Sequence, residues 1–135
     1  MIATMGLAIA SCATARAPKE ISTPKVSLPE IKAGAAALHG REVAVCGWSV
    51  AEFEVCEVSA SIPTYPGYDG RLWVGPKSAI CSLDTVTTHP TKGWADISGR
   101  FRYSKDPKMG FGQFGSYRSA IDLSEVKMRK TPCDN

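Results

Sequence analysis

The chain has 135 residues, with 16 basic and 13 acidic side chains for a formal net charge of +3. That is enough chain for one small domain with its own core. The positive excess is slight and lies in no block, so it lacks the clustered Lys/Arg face of a nucleic-acid binder. After the first dozen residues no apolar run approaches the ~20 residues that span a bilayer.

In chain order, the first element is the apolar run Ile2 to Ala10, too short to cross a membrane as a helix, which takes ~20 residues. It ends in Ile9-Ala10-Ser11-Cys12. An aliphatic residue, two small residues and a cysteine resemble the lipobox of bacterial lipoproteins. The small side chains suit a narrow peptidase site after export. The resemblance implies a signal peptide over residues 1–11 and acylation of Cys12. Several acyl chains at ~0.8 kcal/mol per buried CH₂ make a lasting anchor. It further implies a cell-envelope protein facing the periplasm, at the outer membrane because Ala13 rather than Asp follows the cysteine.

Residues 12–37 read as a Pro/Ala-rich tether. Pro18, Pro24 and Pro29 interrupt helices, and few large apolar side chains are present. Its r.m.s. reach as a flexible chain is ~25–30 Å. At most one loosely held helical turn is expected over Lys32–Leu38. The folded domain is expected over residues 38–135.

Arg41 to Val50 alternates as a strand, with Val43 and Val45 on one face and Ala44, Cys46 and Trp48 on the other. Gly47 marks a place where a long strand bends. Phe53 to Ser59 reads as a second strand. Pro66-Gly67 and Asp69-Gly70 are turn signals, and Arg71 to Val74 is a short third strand. Between it and the next strand, Pro76, Pro90 and Gly93 exclude a long element but leave room for a short helix over Lys77–Leu83. Trp94 to Tyr103 alternates again, with Ala95, Ile97, Gly99, Phe101 and Tyr103 in phase. A glycine-rich run, Gly110 to Gly115, leads to a last strand from Tyr117 to about Val126.

Five strands, with an irregular or helical connection between the third and fourth, is the element order of an all-β OB-like barrel. Leu38-His-Gly-Arg-Glu-Val-Ala-Val-Cys-Gly-Trp48, Asp96-Ile-Ser-Gly-Arg-Phe101 and the Gly110–Gly115 run resemble strands of small bacterial OB-like proteins. The resemblance covers residues 38 to 127. An SH3-like barrel or small sandwich is the other architecture with this pattern.

Besides Cys12, four cysteines remain: Cys46, Cys56, Cys81 and Cys133. In an exported chain they suggest two disulfides. Three pairings are open, of which Cys56–Cys81 with Cys46–Cys133 is preferred. A metal site is not expected: there is no C-x-x-C, and His39 and His89 lack a second ligand type at useful spacing. No cofactor motif is present, and Gly110–Gly115 neither follows a buried strand nor opens a helix.

Catalytic constellations are missing. Ser82, Ser98 and Ser116 sit in no nucleophile motif, and nothing places Asp84 and Asp96 as a working carboxylate pair. The residues point instead to binding. Tyr65, Tyr68, Arg71 and Trp73 cluster in nine residues, and such side chains dominate interface hot spots. With Leu72 and Val74 inward, Arg71 and Trp73 face the strand 2–3 platform that OB folds use for ligands. Arg100 and Arg102 add a positive strip. The expectation is therefore a non-enzymatic envelope module that binds a protein or envelope ligand, with a periplasmic inhibitor or immunity protein as its sharper form. The alternative is an oligonucleotide- or oligosaccharide-binding barrel, though export and mild charge oppose nucleic acid.

Overall fold

The structure is a computed structural model; it describes residues 22–52, 55–62, 70–75, 81–85, 90–112 and 114–134. Five strands form a closed barrel: β1 (Glu42–Glu52), β2 (Val55–Ser59), β3 (Leu72–Val74), β4 (Lys92–Tyr103) and β5 (Ser119–Met128). Their order around the barrel is β1-β2-β3-β5-β4. The β3–β5 pairing is parallel and the others are antiparallel. This is the OB-like barrel that the strand pattern implies.

The barrel closes because its two long strands coil. β1 pairs with β4 along most of its length, but with β2 only from Trp48 onward. Gly47 sits at that change. A Cβ there would lie 2.5 Å from Val58 Cγ2 and 2.6 Å from the Ser59 carbonyl oxygen. Gly99 does the same for β4, beside a register shift against β5, where a Cβ would run into the Asp122 carbonyl oxygen. Both glycines exist to let backbones touch. Period-two alternation then points Val43, Val45, Val58, Leu72, Val74, Ala95, Ile97, Phe101 and Ile121 into the interior, each at most 2% exposed.

One end of the barrel is covered by α1 (Leu28–Leu38), which buries Leu28, Ile31 and Ala35. This corrects the expectation of a tether running to residue 37. Pro29 falls in the first helical turn, where a missing N–H costs nothing. Ser27 and Glu30 form a reciprocal capping box: the Ser27 N–H donates to Glu30 Oε2 at 2.7 Å, and the Glu30 N–H to Ser27 Oγ at 3.3 Å. Burying Ile31 alone contributes ~1.5–3 kcal/mol. Before the helix, the Val26 N–H donates to the Ala44 carbonyl and the Ala44 N–H to the Pro24 carbonyl, both at 2.9 Å. The domain thus includes residues 24–38.

Cys56 is bonded to Cys81 and Cys46 to Cys133, with Cα separations of 5.3 and 5.8 Å. The first ties β2 to the β3–β4 connection. The second fastens the C-terminal segment to the outer face of β1. In that connection a 3₁₀ turn spans Leu83–Thr85. The Lys77–Leu83 helix expected there lies largely outside the described residues.

Candidate functional site

The register places four side chains in one row on the outer surface. Glu57 on β2 is opposite Trp73 on β3, Trp73 is opposite Ala120 on β5, and Ala120 is opposite Arg102 on β4. In an OB-like barrel this face is the usual ligand platform. Here it is roofed by the chain itself. The β4–β5 connection turns back as a hairpin in which Phe111 and Tyr117 pair, with N–H···O distances of 2.7 and 3.2 Å.

The hairpin is fastened along its whole base. The Tyr117 hydroxyl donates to Glu57 Oε2 at 2.6 Å, and the Tyr117 ring lies 5.5 Å from that of Trp73. A Cβ on Gly112 would meet the Trp73 ring at 3.2 Å, so the backbone itself lies on the indole. The Arg102 guanidinium stands 5.2 Å from the centre of the Phe111 ring, a contact worth ~0.5–2 kcal/mol. Ala120, small and central in the row, makes room for these rings.

The sequence-derived binding residues therefore divide. Tyr65 and Tyr68 lie outside the described residues. Trp73 does point to the outer face, as its phase requires, but it is 1% exposed and belongs to the core. Its assignment to a ligand surface is corrected: the hairpin that covers it comes from almost forty positions later, which local alternation does not reveal. Arg102 pairs with Asp122 at 2.9 Å and packs under the hairpin, so it too is structural. Arg100 is 63% exposed but pairs with Glu42 at 3.6 Å. The two arginines form no open positive strip. Arg71 pairs with the buried Glu57 at 3.0 Å and reaches a surface cleft beside α1.

What the platform hides, the hairpin displays elsewhere. Phe114 is at the tip of the hairpin and is 73% exposed, and Met109 at its approach is 52% exposed. Gly112 and Gly115 bracket Phe114 with φ of +80° and +64°, a backbone state that suits glycine and fixes the turn. The Gly115 N–H closes the turn on the Gly112 carbonyl at 3.2 Å. At the approach, Asp106 accepts from the Lys108 N–H through Oδ1 at 2.8 Å and from the Met109 N–H through its carbonyl at 3.0 Å. The backbone on either side of Phe114 is thus held by glycine conformations and hydrogen bonds, while its ring stands out from the surface. Sequence reasoning read the glycines here as a strand entry and missed Phe114. The signal available in the sequence was Gly112-x-Phe114-Gly115, in which turn glycines on either side of an aromatic place it at a loop tip.

A second aromatic pair lies on the outer surface away from the hairpin. Trp48 and Trp94 are directly opposite across β1 and β4 and meet edge to face at 5.5 Å and 80°. Both are half-buried, and their contact clamps β1 to β4.

Comparison with known proteins gives no matching family model and no match among curated proteins.

Proposed function

We propose that this chain is a non-enzymatic recognition module of the bacterial cell envelope, anchored through acylated Cys12 and binding a protein partner through the tip of its β4–β5 hairpin. The supporting observation is Phe114, exposed at the end of a hairpin whose base is locked onto Glu57 and Trp73. A convex, stiff, apolar tip complements a concave surface such as an enzyme cleft. A periplasmic inhibitor or immunity protein is the role that such a shape serves best. Two disulfides suit an oxidising compartment.

The oligonucleotide or oligosaccharide reading has less support. It requires the outer β2–β3 face, and the chain's own hairpin occupies that face. Stacking rings of the kind that hold single strands are here consumed by Tyr117 and Phe111.

The experiment has two arms. Labelled fatty acid should enter the wild-type chain and not Cys12→Ser. A photoreactive phenylalanine at position 114 should crosslink one envelope protein, whereas the same group at Ile62 should not. Equal labelling of Cys12→Ser would remove the anchor, and an absence of crosslinks at 114 would remove the tip.

A further inference from the structure

The two disulfides stand in opposite surroundings. Cys56 and Cys81 are 0% and 7% exposed and lie in the core. Cys46 and Cys133 are both partly exposed, and both line a surface groove of about 560 Å³. The floor of the groove is the outer face of β1 and β4, where Ala44 is opposite Ser98 and Cys46 is opposite Asp96. Residues 25–29 form one wall, and Arg129, Cys133 and Asp134 form the other.

Little besides the disulfide holds that second wall. The Arg129 N–H donates to the Trp94 carbonyl at 2.8 Å, and among the described residues no backbone hydrogen bond to the barrel follows it. The Arg129 guanidinium pairs with Asp96 at 3.3 Å and reaches the Pro132 carbonyl at 3.5 Å and Asp134 at 3.8 Å. The last two contacts tie the segment to its own root. Lys130, Thr131, Pro132 and Asp134 are exposed. Beyond Arg129, the Cys133 sulfur is the segment's covalent link to the barrel. An exposed disulfide is the labile kind, because exchange needs a thiolate to reach a sulfur, whereas a buried pair must wait for the fold to open.

We infer that Cys46–Cys133 is a site of thiol–disulfide exchange: a dithiol reductant opens it in the folded protein and frees the C-terminal segment, while the barrel and Cys56–Cys81 stay intact. One thiolate of the dithiol attacks Cys133 Sγ, the sulfur whose chain neighbours are exposed. The Cys46–Cys133 bond breaks, and Cys46 leaves with the electron pair and takes a proton. The second sulfur of the reductant, having lost its proton, then attacks the mixed disulfide and releases the Cys133 thiol. The dithiol ends as a disulfide, and its two electrons and two protons end on Cys46 and Cys133. The groove loses one wall and keeps its floor. Neither the acyl anchor nor the hairpin tip enters into this exchange.

The test uses the full 135-residue chain with Cys12 alkylated beforehand, and dithiothreitol as the probe. Samples reduced without denaturant are quenched at intervals with iodoacetamide, and the labelled cysteines are mapped by mass. Cys46 and Cys133 should take label together, at least about a hundredfold sooner than Cys56 and Cys81, which are reached only through transient opening. Far-UV circular dichroism should be unchanged at that stage, and trypsin should cut after Lys130 faster than in the oxidised chain. Cys46→Ser/Cys133→Ser should lack the early labelling and show the fast cut without any reductant. Equal labelling rates for the two pairs, earlier labelling of Cys56 and Cys81, or loss of the barrel signal with the first label would overturn the inference. Early labelling with an unchanged tryptic rate would equally overturn it, since the segment would then stay in place without its disulfide.

Discussion

The Tyr117 hydroxyl and the Glu57 carboxylate, sixty positions apart, meet at 2.6 Å beneath the hairpin. Glu57 is 2% exposed, and Arg71 supplies its second partner at 3.0 Å. A buried carboxylate is tolerated only when its oxygens are satisfied in this way. The contact converts a surface loop into part of the folded core.

Tyr117→Phe keeps the ring and removes the donor. It should cost ~1–3 kcal/mol, the usual penalty for leaving a buried acceptor unpaired. For a domain of this size that is a fall of several degrees in Tm, at about 4–8 °C per kcal/mol. The hairpin should also open, which faster amide exchange at Phe111 would report. An unchanged Tm would mean that the Glu57 oxygen is satisfied without Tyr117.

Trp73→Ala should behave as a core mutation. The indole touches Tyr117 and the Gly112 backbone and is 1% exposed. Its truncation should cost ~3–5 kcal/mol, measured by denaturant unfolding. A loss under 1 kcal/mol would return Trp73 to the surface role its sequence context suggests.

The two disulfides should differ in weight. On the chain-entropy model the Cys46–Cys133 link, closing a separation of 87, stabilises by ~4.6 kcal/mol. Cys56–Cys81, closing 25, gives ~3.5 kcal/mol. Double serine variants measured by urea unfolding should follow that order unless burial of the serines at 56 and 81 adds its own penalty. Comparing Cys56→Ala/Cys81→Ala with the serine pair isolates that penalty.

Acid should loosen the start of α1. Hydrogen bonds from the Ser27 side chain and backbone hold the Glu30 carboxyl below its ordinary value of 4.5. A group whose pKa is lowered by folding stabilises above its unfolded value, and that contribution is lost as pH falls through the folded one. Exchange at the Ser27 and Glu30 amides, taken relative to the intrinsic rate at each pH, should therefore quicken below the ordinary carboxylate range. Glu30→Gln should abolish the pH dependence at that end of the helix. The same acceleration in Glu30→Gln would assign it to another group.

How far the sequence speaks follows from the range of each signal. β1 and β4 were legible because alternation and a bend glycine are both local, and Gly47 and Gly99 sit where the reading put them. α1 was missed because Pro29 was read as a helix breaker rather than as a first-turn residue; Ser27-x-x-Glu30 held the missing signal. Trp73 was read to the correct face and the wrong environment. Periodicity reports direction, whereas burial under Tyr117 and Gly112 is a contact between distant segments. Arg71 and Arg102 resembled binding residues until Glu57 and Asp122 came across the strands to meet them.

Partner capture by Phe114→Ala is the most direct measurement of the central claim. Phe114 is 73% exposed, and exposed substitutions usually shift stability by no more than about 0.5 kcal/mol. Phe114→Ala should leave Tm unchanged and lose at least ~2 kcal/mol in affinity for the protein crosslinked at position 114, the hot-spot range. Wild-type affinity in Phe114→Ala, with the fold intact, would contradict it.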